Sequence, residues 1–186
     1  MNLFLGIFPD DSANHKIRKV IGEVGRIFDG QQVPIRWVNP DTFHVTVFHV
    51  GNDISLVKKV VLKKAIKKIE FKPFELSFKS VRLGISRKYK ELLYLMIDKG
   101  DDEMRKITEQ LDVKGDIRGA NTFVPHLTLG RVSKELSEEE FKNLSRDLEN
   151  VSTELNIEEI SFIVREMYLL KGENGNYEVL INCSVS

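Results

Sequence analysis

Two short runs with the same polar pattern constrain this chain more than any other feature: Thr42 to Gly51, TFHVTVFHVG, and Thr122 to Arg131, TFVPHLTLGR. In each, a histidine and a threonine stand two residues apart inside an apolar run, His44 with Thr46 and His126 with Thr128. Side chains alternate between faces along a strand, so each run folded as a strand puts its histidine and threonine on one face. One such unit is weak as a signal, because threonine favours strands and histidines are often satisfied within cores. Two units with phenylalanine upstream and apolar residues around each threonine call for a shared cause.

The rest of the chain supplies a scaffold for two such strands. Residues 3–8 suit a buried strand, and Asp10, Asp11 and Ser12 offer N-caps for a helix over 12–29, with His15 in its first turn as a surface residue. Arg36 to Val38 form a short strand before the Asn39-Pro40-Asp41 turn, and the first motif strand runs over 43–50. There His44, Thr46 and Phe48 share one face in a regular strand, and Phe43, Val45, Val47 and His49 the other. From 53 to 70, Leu56, Val57, Val60, Val61, Ala65 and Ile69 predict an amphipathic helix with lysines on its outer face, a solvated surface or a contact for RNA phosphates. Strands over 74–85 and 91–97 flank the basic turn Ser86 to Lys90, and a helix follows over 101–112. After the second motif strand, 122–132, Ser137 and Glu140 open a helix over 137–149 with a capping-box pattern. Strands over 157–170 and 177–184 end the chain, joined by a Gly-Glu-Asn-Gly-Asn turn.

This order of mixed strands, hairpins and helices predicts antiparallel or mixed sheets of the α+β class, and residues 1–186 read as one domain. The two motif strands suggest two related halves of about 90 residues sharing a core. With 186 residues the chain buries a core without staples, and its single cysteine, Cys183, fits a reducing compartment such as the cytoplasm. The apolar N-terminal run is too short for a membrane span and reads as a strand instead of a signal peptide. Lysine plus arginine and aspartate plus glutamate both number 28, so attraction to nucleic acid has to come from a local patch. No heptad or repeat suggests assembly, and a monomer is expected.

Two imidazoles and two hydroxyls facing one cleft form a coherent chemical set. An imidazole titrates near neutrality and serves as base in one protonation state and acid in the other, while hydroxyls donate hydrogen bonds to phosphate oxygens. In-line attack at phosphorus needs a proton acceptor at the entering water and a donor at the departing oxygen. A metal centre is disfavoured, since no carboxylate adjoins either motif and His49 points away in a regular strand. A serine triad lacks its nucleophile elbow.

On these residues the chain is identified as resembling the 2H phosphoesterase superfamily, specifically the RNA 2′,3′-cyclic phosphodiesterases, also called 2′-5′ RNA ligases. RWVNPDTFHVTVFHVG resembles the first motif region of that family, FVPHLTLGR the second, and MYLLKGENGNYEVL its last hairpin. The resemblance implies a bilobal fold of two pseudo-symmetric lobes around a cleft with helices outside. It also implies metal-independent opening of a terminal 2′,3′-cyclic phosphate to a 2′-phosphate, without a cofactor, on RNA ends or nucleotides, tRNA fragments among them. His44 would be the proton donor, His126 the acceptor, and Thr46 and Thr128 the phosphate clamps. Arg131 and Phe43 match site-lining positions, for phosphate charge and base contact. Joining of RNA halves by the reverse reaction, or binding of an RNA end without turnover, would use the same cleft. One departure stands out: where the family often has Phe-Leu-Gly, this chain has His49-Val50-Gly51.

Overall fold

A computed structural model describes residues 2–52, 56–86, 89–111, 124–173 and 176–184. Thr122 and Phe123 of the second motif run, Arg87 and Lys88 of the basic turn, and Asn174 and Gly175 of the last turn lie outside the described residues. Nine strands, β1 (Asn2–Ile7), β2 (Ile35–Trp37), β3 (Val45–Asn52), β4 (Phe74–Leu83), β5 (Leu92–Lys99), β6 (His126–Val132), β7 (Ser161–Val164), β8 (Glu166–Glu173) and β9 (Asn176–Ser184), alternate with four helices. The helices are α1 (Asp11–Gly30), α2 (Leu56–Ile66), α3 (Asp101–Gln110) and α4 (Glu138–Glu154). The Asp10 side chain caps α1 by accepting from the Ala13 amide, and Ser137 and Glu140 close a full capping box on α4.

All strands belong to one curled sheet in the order β7-β4-β5-β6-β3-β1-β8-β9, with β2 added beside β6, and every pairing is antiparallel. The order divides naturally at its middle. On one side lie β3, β1, β8 and β9, on the other β6, β5, β4 and β7, and the two motif strands are the inner neighbours, joined through the single registered pair Val45 and Leu127. One face of the sheet packs on α1, α3 and α4 through Ile17, Phe28, Met104, Ile107, Leu144 and Leu148. Val45 and Leu127 are fully buried on that face, which leaves the motif histidines and threonines on the other.

Three expectations from the sequence give way here. The expected strand over 157–170 is a 3-10 turn at Ile157–Glu159 followed by β7 and β8, which join opposite lobes, β7 beside β4 and β8 beside β1. The lobes are therefore interleaved along the chain and do not correspond to two consecutive halves. In α2 the inward side is Leu62, Ala65 and Ile66, continued by Ile69, whereas Val60 and Val61 are about half exposed among the lysines. Apolar residues occur on both sides of this helix, so the sheet edge chose between two stripes of similar spacing. No helix among the described residues is long and apolar enough to cross a membrane.

Candidate active site

His44 lies one residue before β3, just beyond a 3-10 turn formed by Pro40–Thr42. That turn follows from its sequence: Asn39 caps it through its side chain, Pro40 fixes the first backbone angle, and α1 ties it down. Asn14 donates to the Pro40 carbonyl and Arg18 pairs with Asp41 at 2.6 Å. The turn holds the Thr42 carbonyl 3.0 Å from His44 Nδ1. A carbonyl only accepts, so Nδ1 carries the hydrogen and Nε2 is the basic nitrogen of the neutral ring. The second motif repeats this device. His126 Nδ1 lies 2.8 Å from the carbonyl of Val124, again two residues upstream, with buried Pro125 between them.

Register then fixes the four motif side chains relative to one another. With Val45 opposite Leu127 in an antiparallel pair, the neighbours place His44 opposite Thr128 and Thr46 opposite His126. All four are partly accessible on the face away from the helices. The two imidazoles lie within electrostatic reach, and the charge of His126 opposes protonation of His44. Burial is the larger cause for both rings and pushes each below its ordinary value, partly offset by the carbonyl that each Nδ1–H meets. At His126 the Arg131 guanidinium adds a further downward push.

Aromatic rings frame the pair. His44 clusters with Phe4, 4.9 Å away between centroids, and Tyr177, 4.8 Å away and edge-on, while Tyr94 meets His126 edge-on at 5.4 Å. Phe4, Tyr94 and Tyr177 carry no sign of this role in the sequence, because each belongs to an apolar or mixed strand in which no residue type marks the site face. The alternation in β1, with Leu3, Leu5 and Ile7 in the core and Phe4 and Gly6 on the other face, becomes a signal only once the fold is known.

Bulges decide the fate of the other candidates. The pairing of β1 with β3 steps from Gly6 and Thr46 to Leu5 and Phe48, passing over Val47, so Val47 and Phe48 both turn to the core side. His49 is thereby paired with Phe4, on the same face as His44, and it is exposed. This corrects the regular-strand expectation that it points away. In β6 the pairing with β5 likewise passes over Leu129, and Arg131 returns to the site face beside Leu92 and opposite Arg36 of β2. Arg131 is held there by Glu91 at 3.0 Å. Phe43 is corrected in the opposite sense: it is 1% exposed in the core beneath His44, and its ring is closed to a base. Among the described residues no group of three or more histidine, cysteine or carboxylate side chains is arranged to hold a metal ion.

Comparison with known proteins agrees with this architecture. A sequence model of the 2′-5′ RNA ligase superfamily matches residues 8–176. The RNA 2′,3′-cyclic phosphodiesterase of Methanothermobacter thermautotrophicus is 21% identical over 163 residues, 85% of this chain and 86% of its own. Escherichia coli LigT superposes with a TM-score of 0.66 in its phosphate complex and 0.67 in its 3′-AMP complex. These two structures are 17% and 18% identical to the chain and cover all of it, with 97% and 98% of their own lengths matched. TT0787 of Thermus thermophilus gives 0.62 at 17% identity, with all of this chain and 98% of that one aligned. The match over nearly the whole length, on a sheet with paired His-x-Thr strands at its centre, establishes that the chain belongs to the 2′-5′ RNA ligase superfamily, the 2H phosphoesterases.

Proposed function

We propose that the chain hydrolyses the 2′,3′-cyclic phosphate at RNA ends to a 2′-phosphate by general acid-base catalysis with His44 and His126 and no metal. The observation that carries this reading is the doubled tautomer lock, in which each Nδ1–H is tied to a carbonyl two residues upstream and Nε2 is the basic nitrogen of each neutral ring. Neutral His126 takes a proton from water as the water oxygen bonds to phosphorus. The bond from phosphorus to O3′ breaks, and protonated His44 delivers its Nε2 proton to that oxygen. The proton gained by His126 and the proton lost by His44 balance over the cycle through solvent.

The charges nearby support this division of roles. The Arg131 guanidinium disfavours the cationic form of His126, which suits a base, and a bound phosphate anion favours the charged form of His44 against the effect of burial. Thr46 and Thr128, each opposite a histidine, are placed to donate to the non-bridging oxygens, and Arg131 supplies positive charge on the same face. The name of the Methanothermobacter relative points to the same reaction. A monomer belongs to this reading, as does a reducing, cytoplasmic setting, the latter in keeping with the free thiol of Cys183.

The assay is turnover of a 2′,3′-cyclic nucleotide with chelator present, comparing wild type with His44→Ala and His126→Ala. Each variant should lose about 100-fold to 10,000-fold in kcat, and the wild-type profile against pH should be bell-shaped. Full activity in either variant, or loss of wild-type activity on chelation, removes the proposed mechanism.

A further inference from the structure

The two motif strands share more than His-x-Thr. Each carries a bulge directly after its threonine, at Val47–Phe48 and at Leu129–Gly130, and each bulge returns the residue five places beyond its histidine to the site face. In the second strand that residue is Arg131, and in the first it is His49. The pseudo-symmetric mate of the arginine is thus an imidazole, and the cleft is unlike on its two sides.

Around Arg131 the side chains are charged, with cations in excess: Glu91 pairs with Arg131, Arg36 is directly opposite, and Arg82 lies on the far side of Tyr94. Around His49 they are aromatic. Phe4 is its cross-strand partner, and Phe4 packs on both His44 and Tyr177. Phe4 is 3% exposed and His44 and Tyr177 are partly buried, whereas His49 is exposed, so His49 is the most open ring of this row. Its polar edge makes no hydrogen bond among the described residues. Phosphates are recognised by guanidinium groups, and nucleobases by flat rings that also offer a hydrogen-bonding edge.

We infer that His49 is a base-contacting residue that sets preference for the nucleotide bearing the cyclic phosphate, with the backbone of the RNA directed to the arginine side. This inference rests on the reading of the cleft as an RNA-end site. His49 touches substrate and takes no part in proton transfer.

The test uses the four nucleoside 2′,3′-cyclic monophosphates with wild type, His49→Ala, His49→Phe and the surface control His15→Ala. Loss of one base contact corresponds to about 5-fold to 150-fold in binding. His49→Ala should raise KM by an amount in that range for the best substrate and compress the differences in kcat/KM among the four bases. His49→Phe keeps a flat ring, so it should retain binding with a changed base ranking, which also guards against a folding defect in the alanine variant. In parallel, the His49 ring resonances should shift in NMR when nucleoside 2′-monophosphates are titrated into wild type. If KM and base ranking stay at wild-type values in both variants and the ring resonances do not move, the inference is overturned. Shifted resonances and weakened binding in His49→Ala, in a protein that turns over no cyclic nucleotide, would sustain His49 as the base contact while removing the hydrolytic reading.

Discussion

His44 and His126 carry a stability signature as well as a chemical one. Both rings are held below their ordinary value near 6.5, mainly by burial. As pH falls through 6.5, the unfolded chain binds protons that the folded chain resists, so the unfolded state gains and stability drops. Above that range both states hold the rings neutral and the effect vanishes. The urea midpoint of the wild type should therefore decline between pH 7.5 and pH 5.5, and His44→Gln, which keeps a polar side chain without this titration, should decline less. Equal declines would show that the buried imidazoles are not what the acid limb reports. The identity of these two residues was legible in the sequence, because core packing alone does not account for the same polar pair recurring in two apolar strands. Phe43 was not legible, since its placement beneath His44 depends on which face of the strand the helices cover.

At the scale of the element, the bulged motif strands explain both what the sequence revealed and what it hid. Alternation set the faces of the two motif strands, β3 and β6, correctly up to each threonine. Beyond it a bulge shifts parity by one residue inside an unbroken apolar run, and no residue type announces the shift. That is why alternation set His49 on the wrong face and why Arg131 was reached by family resemblance alone. In β6 the bulge has a marker that becomes readable with the fold, Gly130. A Cβ there would lie 2.9 Å from the Arg36 carbonyl and 3.2 Å from Ile35, so β2 seats against β6 only because the side chain is missing. Gly130→Ala should cost about 1–3 kcal/mol, the usual range for an overpacked site, measured by urea unfolding. It should also weaken activity more than the lost folded fraction predicts, because Arg36 and Arg131 ride on the same pair of strands. Unchanged stability would mean that β2 moves away freely. The division of 157–170 into β7 and β8 was hidden for another reason, since strand partners far apart in sequence leave no local trace.

For the molecule as a whole, the decisive junction is narrow. A four-stranded group and a five-stranded group that includes β2 form one sheet through a single registered pair, and that pair also sets each histidine opposite the other strand's threonine. Leu127 is fully buried there. Truncation of a buried leucine costs about 2–5 kcal/mol, so Leu127→Ala should fall in that range by urea unfolding. Under conditions where the variant is still folded, its kcat should drop although no reacting group has been removed. Retention of full kcat would show that the histidine and threonine positions are set by the rest of the sheet. The overall α+β architecture was legible from element order, because hairpins and short connections leave few antiparallel arrangements.

The interleaving of the lobes has a consequence for how the protein is made. The strands that complete the His126 lobe, ending with β7 at Val164, leave the ribosome before β8 and β9, which finish the lobe of His44. Until then β1 is an open edge, with β3 on one side and its ladder to β8 unmade, and Tyr177 is missing from the His44 ring cluster. A nascent or truncated chain ending at Arg165 should therefore hold a nearly finished His126 lobe beside a raw strand edge prone to pairing with other chains. Pulse proteolysis of such a truncation should cut within β1 and β3 well before β4, β5 and β6. Equal cleavage rates would mean that the two lobes form only together.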